Sequence, residues 1–511
     1  ATSFNEGYNV ADRDTTNFRN SSSRLMRNLS NIAKIVLDNV RDDPIYFFLQ
    51  AARRLDSAFL TRMAAGFVRA LPERAIQLRA VGLLLSGNTS GLGEYLRQLD
   101  PSLIPDVSLA RLGDMAIAVQ DPTSAEHLLK NRTSTSTALC RTQARHAWYL
   151  GDMQEAIDIL SSVVPPSNKQ LRHYQSELGV FLGAMPAVPK QRFAPDARRA
   201  QGTALHFLTN SLPHTGSGYA QRSHSIMMSL ADEGWRTEVL TRAGYPLTVG
   251  KLRAHDADVV DGITYRRILP ARFRADMRSK IQQQADALSA AAGRLHPGVL
   301  HTTTDFSNAL AVLSVAESFG LPWVYEVRGQ LADTWASTRP ESAKSSQRYK
   351  LFREREAFVA SRATHVVTLG EAMRAELVAQ GIPSNKITIA PNAVGDAYLE
   401  DPIGREEARG RLGLSPDLQY VGTVSSLVAY EGLDLLIRAA AELIPDNPKL
   451  RVLIVGSGVE ANNLKDLSKS LGIYEYCLFP GRVPRDEART YHCVLDIFVV
   501  PRRNLSVTRA V

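Results

Sequence analysis

Cysteine is scarce in this chain, since its 511 residues include only Cys140, Cys477 and Cys493. Three widely spaced cysteines cannot build the disulfide framework that holds small secreted domains together. No pair of them has the short spacing of a zinc site. The pattern therefore predicts a reducing, cytoplasmic environment, without a structural metal ion.

Long hydrophobic runs are also missing. No window contains about 18 consecutive apolar residues, so we expect no membrane-spanning helix. Residues 1–24 are polar and lack the basic and then apolar order of a signal peptide. We expect them to form a polar tail, and the missing initiator Met predicts a processed or clipped start.

Positive charge is only mildly in excess over negative charge. Lys and Arg number 60 against 52 for Asp and Glu, which gives a net charge of +8. Because the surplus is spread along the chain without a long basic run, it argues against nucleic-acid binding. A mild positive surplus suits phosphate-bearing ligands such as nucleotide sugars, or anionic lipid headgroups.

What the chain does contain is a helical pattern over residues 24–182. Apolar residues recur there every three or four positions, and short Gly, Asn or Pro breaks separate the segments. Within this region AWYLGDMQEA, residues 147–156, resembles the core of a tetratricopeptide helix hairpin, in which Leu-Gly closes one helix. We expect an all-α helical-hairpin domain over residues 25–184, with an irregular bundle as the alternative.

The pattern changes after residues 185–199, which contain three prolines among basic residues and predict a linker. Strand and helix patterns then alternate, which predicts βαβ units and a parallel sheet. One series occupies residues 200–404 and a second occupies residues 405–511. The predicted fold class is therefore α/β, with two Rossmann-like domains. We expect the second domain to be incomplete, because a doubly wound sheet needs helices on both faces.

Ligands of open parallel sheets bind at the carboxyl ends of the strands, so the turns after strands are the candidate sites. The first turn carries Gly216 and Gly218 before a helix, where backbone N–H groups can approach an anion. Gln221 stands at the third glycine position of a dinucleotide fingerprint, and the second strand ends in Thr241-Arg242 rather than in an acid. A nicotinamide oxidoreductase is therefore disfavoured.

Polar residues follow in the next two strands. His301 is expected near the crevice, and Glu326 and Arg328 share one face of the following strand because they stand two residues apart. A functional role for these three competes with two structural interpretations, a hydrogen-bonded histidine and a satisfied ion pair. Further glycine-bearing turns follow strands at residues 425–434, 454–458 and 479–484.

Over residues 203–501 the chain contains, in order, the motifs TGSG, LHTTTDFSN, YEVRG, RERE, VVTLGEAM, PNAV, YEGLDLLI, VGSG and FPGRVP. Their joint order resembles the family-four retaining glycosyltransferases of the GT-B fold. YEVRG and YEGLD resemble a subgroup involved in bacterial exopolysaccharide and cell-envelope glycan assembly. The resemblance implies transfer from a UDP- or GDP-sugar to a glycan or lipid-linked acceptor, with no metal and no other cofactor. The protein would mainly stabilise the departing diphosphate electrostatically.

The resemblance also implies roles for individual residues. His301 would lie at the reacting sugar and Glu326 and Arg328 on the acceptor side, as the expected catalytic group. The expected donor and nucleotide site consists of Gly216, Gly218, Ser426, Glu431, Gly432, Gly456, Ser457, Arg482, Val483, Arg502 and Arg503.

Two departures from the family's pattern qualify this expectation. Many members grip the diphosphate with an Arg and a Lys where this chain has Ser426 and Glu431. We expect Arg502, Arg503 or Arg509 to compensate, although a charged surface tail would look the same. The family's paired-glutamate motif normally lies beyond the point where this sequence ends, so impaired or absent activity is expected of this chain alone.

Two further interpretations stay open. The helical region could bind a protein partner while the α/β part serves as a degenerate, non-catalytic scaffold. Residues 272–281 interleave basic residues with Phe, Met and Ile. This pattern predicts either peripheral contact with the inner face of a membrane or an ordinary solvated helix start.

Overall fold

The structure is a computed structural model that describes residues 23–37, 75–86, 88–130, 136–191, 200–395, 398–505 and 508. Most of the expected polar tail, residues 192–199 of the expected linker, and Arg509 lie outside these ranges. The chain divides into two compact units, with the boundary between Ala390 and Pro391.

The first unit begins with a helical arm, as the apolar spacing predicts. Its buried side chains include Leu92, Leu96, Leu109 and Leu128, so the hairpins share one core. No helix in the described ranges is long and apolar enough to cross a membrane. The described helices of the arm are α1 (residues 23–37), α2 (Ile76–Leu85), α3 (Thr89–Gln98), α4 (Asp106–Ala118), α5 (Pro122–Leu129), α6 (Thr137–Leu150), α7 (Met153–Val163) and α8 (Lys169–Phe181).

The turn between α6 and α7 is the one that the Leu-Gly pair predicts. Gly151 ends α6 in the left-handed conformation, with φ of 98°, and its N–H donates to Ala147. The same turn packs against the α/β part of the unit, because the N–H of Arg348 donates to the Gly151 carbonyl at 2.9 Å. A Cβ atom at Gly151 would lie 2.3 Å from Ser346 Oγ.

The substitution Gly151→Ala is therefore expected to lower the free energy of unfolding by about 2 to 4 kcal/mol, from the left-handed φ and the collision with Ser346 together. Gly183→Ala is the matched control, because Gly183 also has a positive φ but has open space around it. We expect the control to lose only about 1 to 2 kcal/mol. Urea denaturation measures both, and equal losses would contradict the packing argument.

The first unit continues with an eight-stranded sheet in the order β3-β4-β2-β1-β5-β6-β7-β8. Its strands are β1 (Ala200–Leu208), β2 (Arg236–Thr241), β3 (Ala257–Val260), β4 (Ile263–Arg267), β5 (Pro297–Thr303), β6 (Trp323–Val327), β7 (His365–Thr368) and β8 (Ile387–Ile389). The helices between them are α9 (Gly218–Asp232), α10 (Met277–Leu295), α11 (Phe306–Phe319), α12 (Leu331–Ala336), α13 (Gln347–Arg362) and α14 (Glu371–Ala379).

One strand of this sheet corrects the expectation of a purely parallel arrangement. β3 pairs antiparallel with β4, as a hairpin at the sheet edge. The turn is Asp261-Gly262, with φ values of 48° and 79°, and this dipeptide favours two-residue hairpins because both residues tolerate a positive φ. The signal was therefore present in the sequence.

The second unit has a four-stranded parallel sheet in the order β11-β10-β9-β12. The chain moves outward from β9 to β11 and then returns to the other side of β9, as in the first half of a Rossmann domain. Its strands are β9 (Gln419–Val424), β10 (Leu450–Val455), β11 (Cys477–Gly481) and β12 (Ile497–Phe498), and its helices are α15 (Arg405–Arg411), α16 (Leu433–Leu443), α17 (Ala461–Ser470) and α18 (Arg485–Val494). The expected α/β class is confirmed.

Candidate functional site

A buried ion cluster lies in the first unit, under α9. Glu326, whose side chain is 1% exposed, accepts from Arg328 Nη2 at 2.6 Å and from Arg222 Nε at 2.7 Å. The structure thus brings together Glu326 and Arg328, which the sequence places on one face of β6, and adds Arg222 from the helix above. Because one carboxylate faces two guanidinium groups, this cluster has a net positive charge.

The third expected catalytic residue, His301, adjoins this cluster. Its Nε2 lies 3.7 Å from Glu326 Oε2, and its Nδ1 lies 2.8 Å from the Nδ1 of His206. His206 and His301 are direct partners in the register between β1 and β5. The Nδ1–Nδ1 contact requires one imidazole to donate and the other to accept, so the tautomers of the pair are coupled.

Burial and the two arginines set the protonation states of the cluster. Burial alone would raise the pKa of Glu326, but the Arg328 guanidinium holds it below its usual value. Burial lowers the pKa of His301 to about 4, although the Glu326 carboxylate opposes this shift. Burial likewise lowers the pKa of His206 well below its usual value. At neutral pH the cluster therefore contains a carboxylate, two guanidinium groups and two neutral imidazoles.

The shifted pKa of His301 predicts a pH-dependent stability. Its pKa is about 4 in the folded protein and near 6.5 in the unfolded chain, so the unfolded state binds the extra proton between these values. The full stability is therefore present above pH 6.5, and His301 removes about 1.4 kcal/mol per pH unit as pH falls toward 4. Urea denaturation of the wild type and His301→Gln at pH 7, 5 and 4 checks this. In His301→Gln the free energy of unfolding should fall less steeply from pH 7 to pH 4 than in the wild type. An equal fall in both proteins would contradict the low pKa assigned to His301.

Arg328 also ties the cluster to the glycine turn between β1 and α9. Its Nη1 donates to the Tyr219 carbonyl at 2.7 Å and to Ser223 Oγ at 2.9 Å. Gly218 is the first residue of α9, and the Ser217 side chain caps the helix by accepting from the N–H of Ala220. The N-terminus of a helix presents first-turn N–H groups that can face an anion.

A second set of contacts holds the start of this glycine turn. The buried Arg267 guanidinium donates to Ser211 Oγ at 2.6 Å and to the Leu212 carbonyl at 3.0 Å, and it pairs with Asp258 at 2.7 Å. His214 Nε2 lies 3.0 Å from the same carboxylate. Sequence reasoning missed Arg267 because it stands in β4, whose pairing with the edge strand β3 was not predicted.

His206 and Arg222 were missed as well, although both left a signal. Leu-His recurs in β1 and β5, at Leu205-His206 and Leu300-His301, and adjacent parallel strands in register place the two rings side by side. Arg222 lies one helical turn from Gly218 and Tyr219, which points its side chain toward the same crevice.

In the second unit, the turns after β9 and β10 approach each other closely at two glycines. A Cβ atom at Gly456 would lie 1.8 Å from the Ser425 carbonyl oxygen, and one at Gly458 would lie 2.0 Å from that of Leu427. The N–H of Leu427 donates to the Ser457 carbonyl at 3.1 Å. The expected donor residues Ser426, Gly456 and Ser457 therefore lie in adjoining turns.

The YEGLD turn meets the residues that follow β12. A Cβ atom at Gly432 would lie 2.1 Å from the Pro501 carbonyl oxygen. Arg502 Nε donates to Glu431 Oε2 at 3.0 Å, and Arg503 Nη2 donates to Asp434 Oδ2 at 2.6 Å. β9 and β12 are adjacent strands, but the chain adds β10 and β11 on one side of β9 and then β12 on the other. The gap between β9 and β12 is therefore the topological switch point, where doubly wound sheets bind ligands.

The remaining donor residues lie beside this switch point or in the other unit. The N–H of Gly456 donates to the Gly481 carbonyl at 2.8 Å, which brings the turn after β11 next to that of β10. Val483 packs into the core beneath, whereas Arg482 is exposed. Gly216 and Gly218 belong to the first unit. Among the described residues, no group of three or more His, Cys, Asp or Glu could hold a metal ion.

Two family matches cover most of the α/β part of the chain. Residues 217–393 match the family described as "Glycosyl transferase 4-like domain", and residues 404–504 match "Glycosyl transferases group 1". The chain belongs to the glycosyltransferases. In this glycosyltransferase the two domains follow one another on two Rossmann-like sheets, which is the composition of the GT-B fold.

Individual proteins are similar to parts of this chain. A GDP-mannose-dependent alpha-(1-6)-phosphatidylinositol monomannoside mannosyltransferase from Mycolicibacterium smegmatis is 34% identical over 115 residues, which are 22% of this chain and 30% of the relative. A D-inositol 3-phosphate glycosyltransferase from Kineococcus radiotolerans is 24% identical over 62% of this chain and 75% of the relative. Among solved structures, a sucrose-phosphate synthase from Thermosynechococcus elongatus matches at 16% identity and a TM-score of 0.49, over 59% of this chain and 75% of that one.

Proposed function

We propose that this glycosyltransferase moves a sugar from a UDP- or GDP-sugar to a glycan or lipid-linked acceptor, with retention of configuration, in cell-envelope or exopolysaccharide synthesis. The observation that carries the proposal is the switch point of the second unit. There, the turns after β9, β10 and β12 converge with glycines at each close approach. Such turns let a nucleotide reach the backbone at the strand ends.

The diphosphate of the donor needs positive charge, which the arginines after β12 supply. Arg502 uses only Nε for its bond to Glu431 among the described residues, so its two terminal nitrogens remain available to phosphate oxygens. Among the residues that the structure describes, Arg503 donates through Nη2 to Asp434, which leaves Nη1. We propose that Glu431 and Asp434 orient these guanidinium groups toward the diphosphate, in place of the family's basic pair.

The acceptor would occupy the crevice of the first unit, beside the ion cluster. His301 is neutral there, so its imidazole can hydrogen-bond a sugar hydroxyl without adding charge. The Glu326 carboxylate is enclosed by Arg222 and Arg328, and we assign it to orienting them and His301. The acceptor hydroxyl would attack the anomeric carbon on the face that the diphosphate leaves. The arginines after β12, Arg502 and Arg503, would stabilise the departing diphosphate.

The names of the relatives support the substrate class. The mannosyltransferase is described as GDP-mannose-dependent and acts on a phosphatidylinositol mannoside, and the other relative acts on D-inositol 3-phosphate. We propose that the present enzyme works in the cytoplasm on an acceptor comparable in size to those of the two relatives. Contact with an anionic membrane would be electrostatic, because Phe273 and Ile281 of the basic segment are buried while Arg272 and Arg274 are exposed.

The test is a transfer assay with the full chain and a donor panel of UDP-glucose, UDP-N-acetylglucosamine and GDP-mannose. D-inositol 3-phosphate and phosphatidylinositol vesicles serve as acceptor probes, and donor hydrolysis is followed without acceptor. We expect one donor to be used and Arg502→Gln to slow its use at least about tenfold. Lys469→Gln is the matched control, since Lys469 carries the same charge in an exposed pair elsewhere in this unit. If no donor is hydrolysed, transferred or bound at millimolar concentration, the proposal fails.

The same experiment discriminates the non-catalytic alternative. Glu431 and Asp434 already neutralise Arg502 and Arg503, which favours a degenerate scaffold with a partner-binding arm. A scaffold of that kind would neither hydrolyse nor transfer a donor in any variant. Turnover of a donor that depends on Arg502 would exclude it.

A further inference from the structure

The segment between β6 and α13 leads from the ion cluster to the helical arm. It begins at Arg328, whose N–H donates to Thr304 Oγ1 at 2.6 Å, and it runs through α12 and one 3-10 turn to Ser346. α12 has only six residues, and so short a helix is not stable by itself in water. The conformation of this segment therefore depends on what packs against it.

One side of the segment is held by α13. The Glu356 carboxylate accepts from the N–H of Leu331 at 2.8 Å, and Arg353 donates to Gln330. Tyr349 OH donates to Asp333 Oδ1 at 2.9 Å. These contacts fix the beginning of the segment, residues 329–333, immediately after Arg328.

The later part of the segment is held by the arm. Arg339 Nε donates to the Tyr149 carbonyl at 2.9 Å, and Tyr149 OH donates to the Thr338 carbonyl at 3.1 Å. The Arg339 guanidinium carbon lies 4.6 Å from the Tyr149 ring centroid and 4.4 Å from that of Trp335. Both distances are within the range of cation–π attraction, so one arginine joins the arm to α12.

A second contact strengthens this junction on the arm side. The guanidinium of Arg348 lies within 6 Å of the rings of Trp148, Phe181 and Trp335, and it pairs with Glu177 of α8 at 2.6 Å. The arm therefore contacts the segment at Thr338 and Arg339, and it contacts the first turn of α13 at Arg348. The segment cannot move away from the arm without breaking these contacts.

We propose that the helical arm is a positioning element of the acceptor crevice and that Tyr149 and Arg339 are its positioning residues. They fix the later part of the segment, from Trp335 to Arg339, and α12 joins this part to the residues that follow Arg328 beside the ion cluster. The expected change in transfer kinetics rests on the proposed function, whereas the expected change in hydrogen exchange does not. We assign the arm a role in catalysis by the same chain, in addition to any binding of partners.

The test compares Arg339→Gln, Arg339→Lys and Tyr149→Phe with the wild type, all as the full chain. Hydrogen exchange is followed at the amides of residues 329–346. We expect at least about tenfold faster exchange there in Arg339→Gln. Exchange in the arm helices α4 and α5, which do not contain Tyr149, should stay unchanged. Tyr149→Phe keeps the ring and removes only the bond to Thr338, so it should show a smaller effect.

Transfer kinetics with the same acceptor probes give the second readout. Arg339→Gln should raise the acceptor KM at least about fivefold and leave kcat within about twofold, because the loss is in placing the acceptor. Arg339→Lys keeps the charge but not the planar guanidinium, so it should restore the KM only in part. Arg362→Gln is the control, since Arg362 forms an exposed pair with Glu317 elsewhere in the unit.

Two results would overturn the inference: unchanged exchange at residues 329–346 in Arg339→Gln, or an equal response in the Arg362 control. If no variant and no wild type transfers sugar, the proposed function fails, while the exchange result still decides whether the arm positions the segment. Uniformly faster exchange throughout the first unit would show that Arg339 serves only general stability, which also contradicts the inference.

Discussion

The substitution Glu326→Gln is expected to lower the free energy of unfolding by about 3 to 5 kcal/mol at pH 7. It removes the carboxylate but leaves the guanidinium groups of Arg222 and Arg328 buried without their counter-charge. Breaking one side of a buried ion pair costs this much because the remaining charge stays desolvated. Urea denaturation at neutral pH measures the loss.

The matched control for this prediction is Glu341→Gln. Glu341 pairs with Lys344, and its side chain is 86% exposed, so solvent screens the pair and its loss should cost less than about 0.5 kcal/mol. A change at Glu326 no larger than the control would show that the two arginines are solvated in solution. The assignment of this site as a closed, positively charged cluster would then be wrong.

The substitution Gly456→Ala is expected to weaken binding of a UDP- or GDP-sugar at least about 100-fold. Gly456 has φ of 140°, and the new Cβ atom would lie 1.8 Å from the Ser425 carbonyl oxygen. Because that oxygen belongs to backbone, the turns after β9 and β10 must separate to make room. The expected nucleotide-binding residues Ser426 and Ser457 lie in these same turns.

Gly472→Ala separates this effect from backbone strain alone. Gly472 also has a positive φ, of 72°, but nothing lies within 4 Å of its Cβ position. We expect that variant to lose about 1 to 2 kcal/mol of stability and to keep its donor affinity. Calorimetric titration with the donor measures the affinity, and urea denaturation measures the stability. Equal affinities for the two variants would contradict the close approach of the turns.

The two Rossmann-like sheets were largely predictable, because strand and helix periodicities differ and their alternation implies βαβ topology. Strand length is less predictable. The largely apolar stretch at residues 495–501 is longer than the strand that forms there, in which Ile497 and Phe498 are in register with β9. An apolar run shows where a strand can form, whereas its length depends on the neighbouring strand, which local sequence does not reveal.

The parts of the candidate site that were not predictable depend on long-range contacts. Arg222 and Glu326 are 104 residues apart, and the aromatic contacts of Arg339 join it to a helix 190 residues earlier. An arginine side chain is most often solvated, so the residue type alone does not distinguish Arg222 or Arg339 from a surface residue. Sequence reasoning located the strand-end turns but not the side chains that other elements bring to them.

The central claim is that the switch point of the second unit binds the diphosphate of a nucleotide sugar. Calorimetric titration of the full chain with UDP, GDP, uridine and guanosine tests it most directly. We expect one diphosphate to bind at least about tenfold more tightly than its nucleoside, and we expect Arg502→Gln to remove most of this difference. Equal affinity for nucleoside and diphosphate, or no binding of either diphosphate at millimolar concentration, would contradict it.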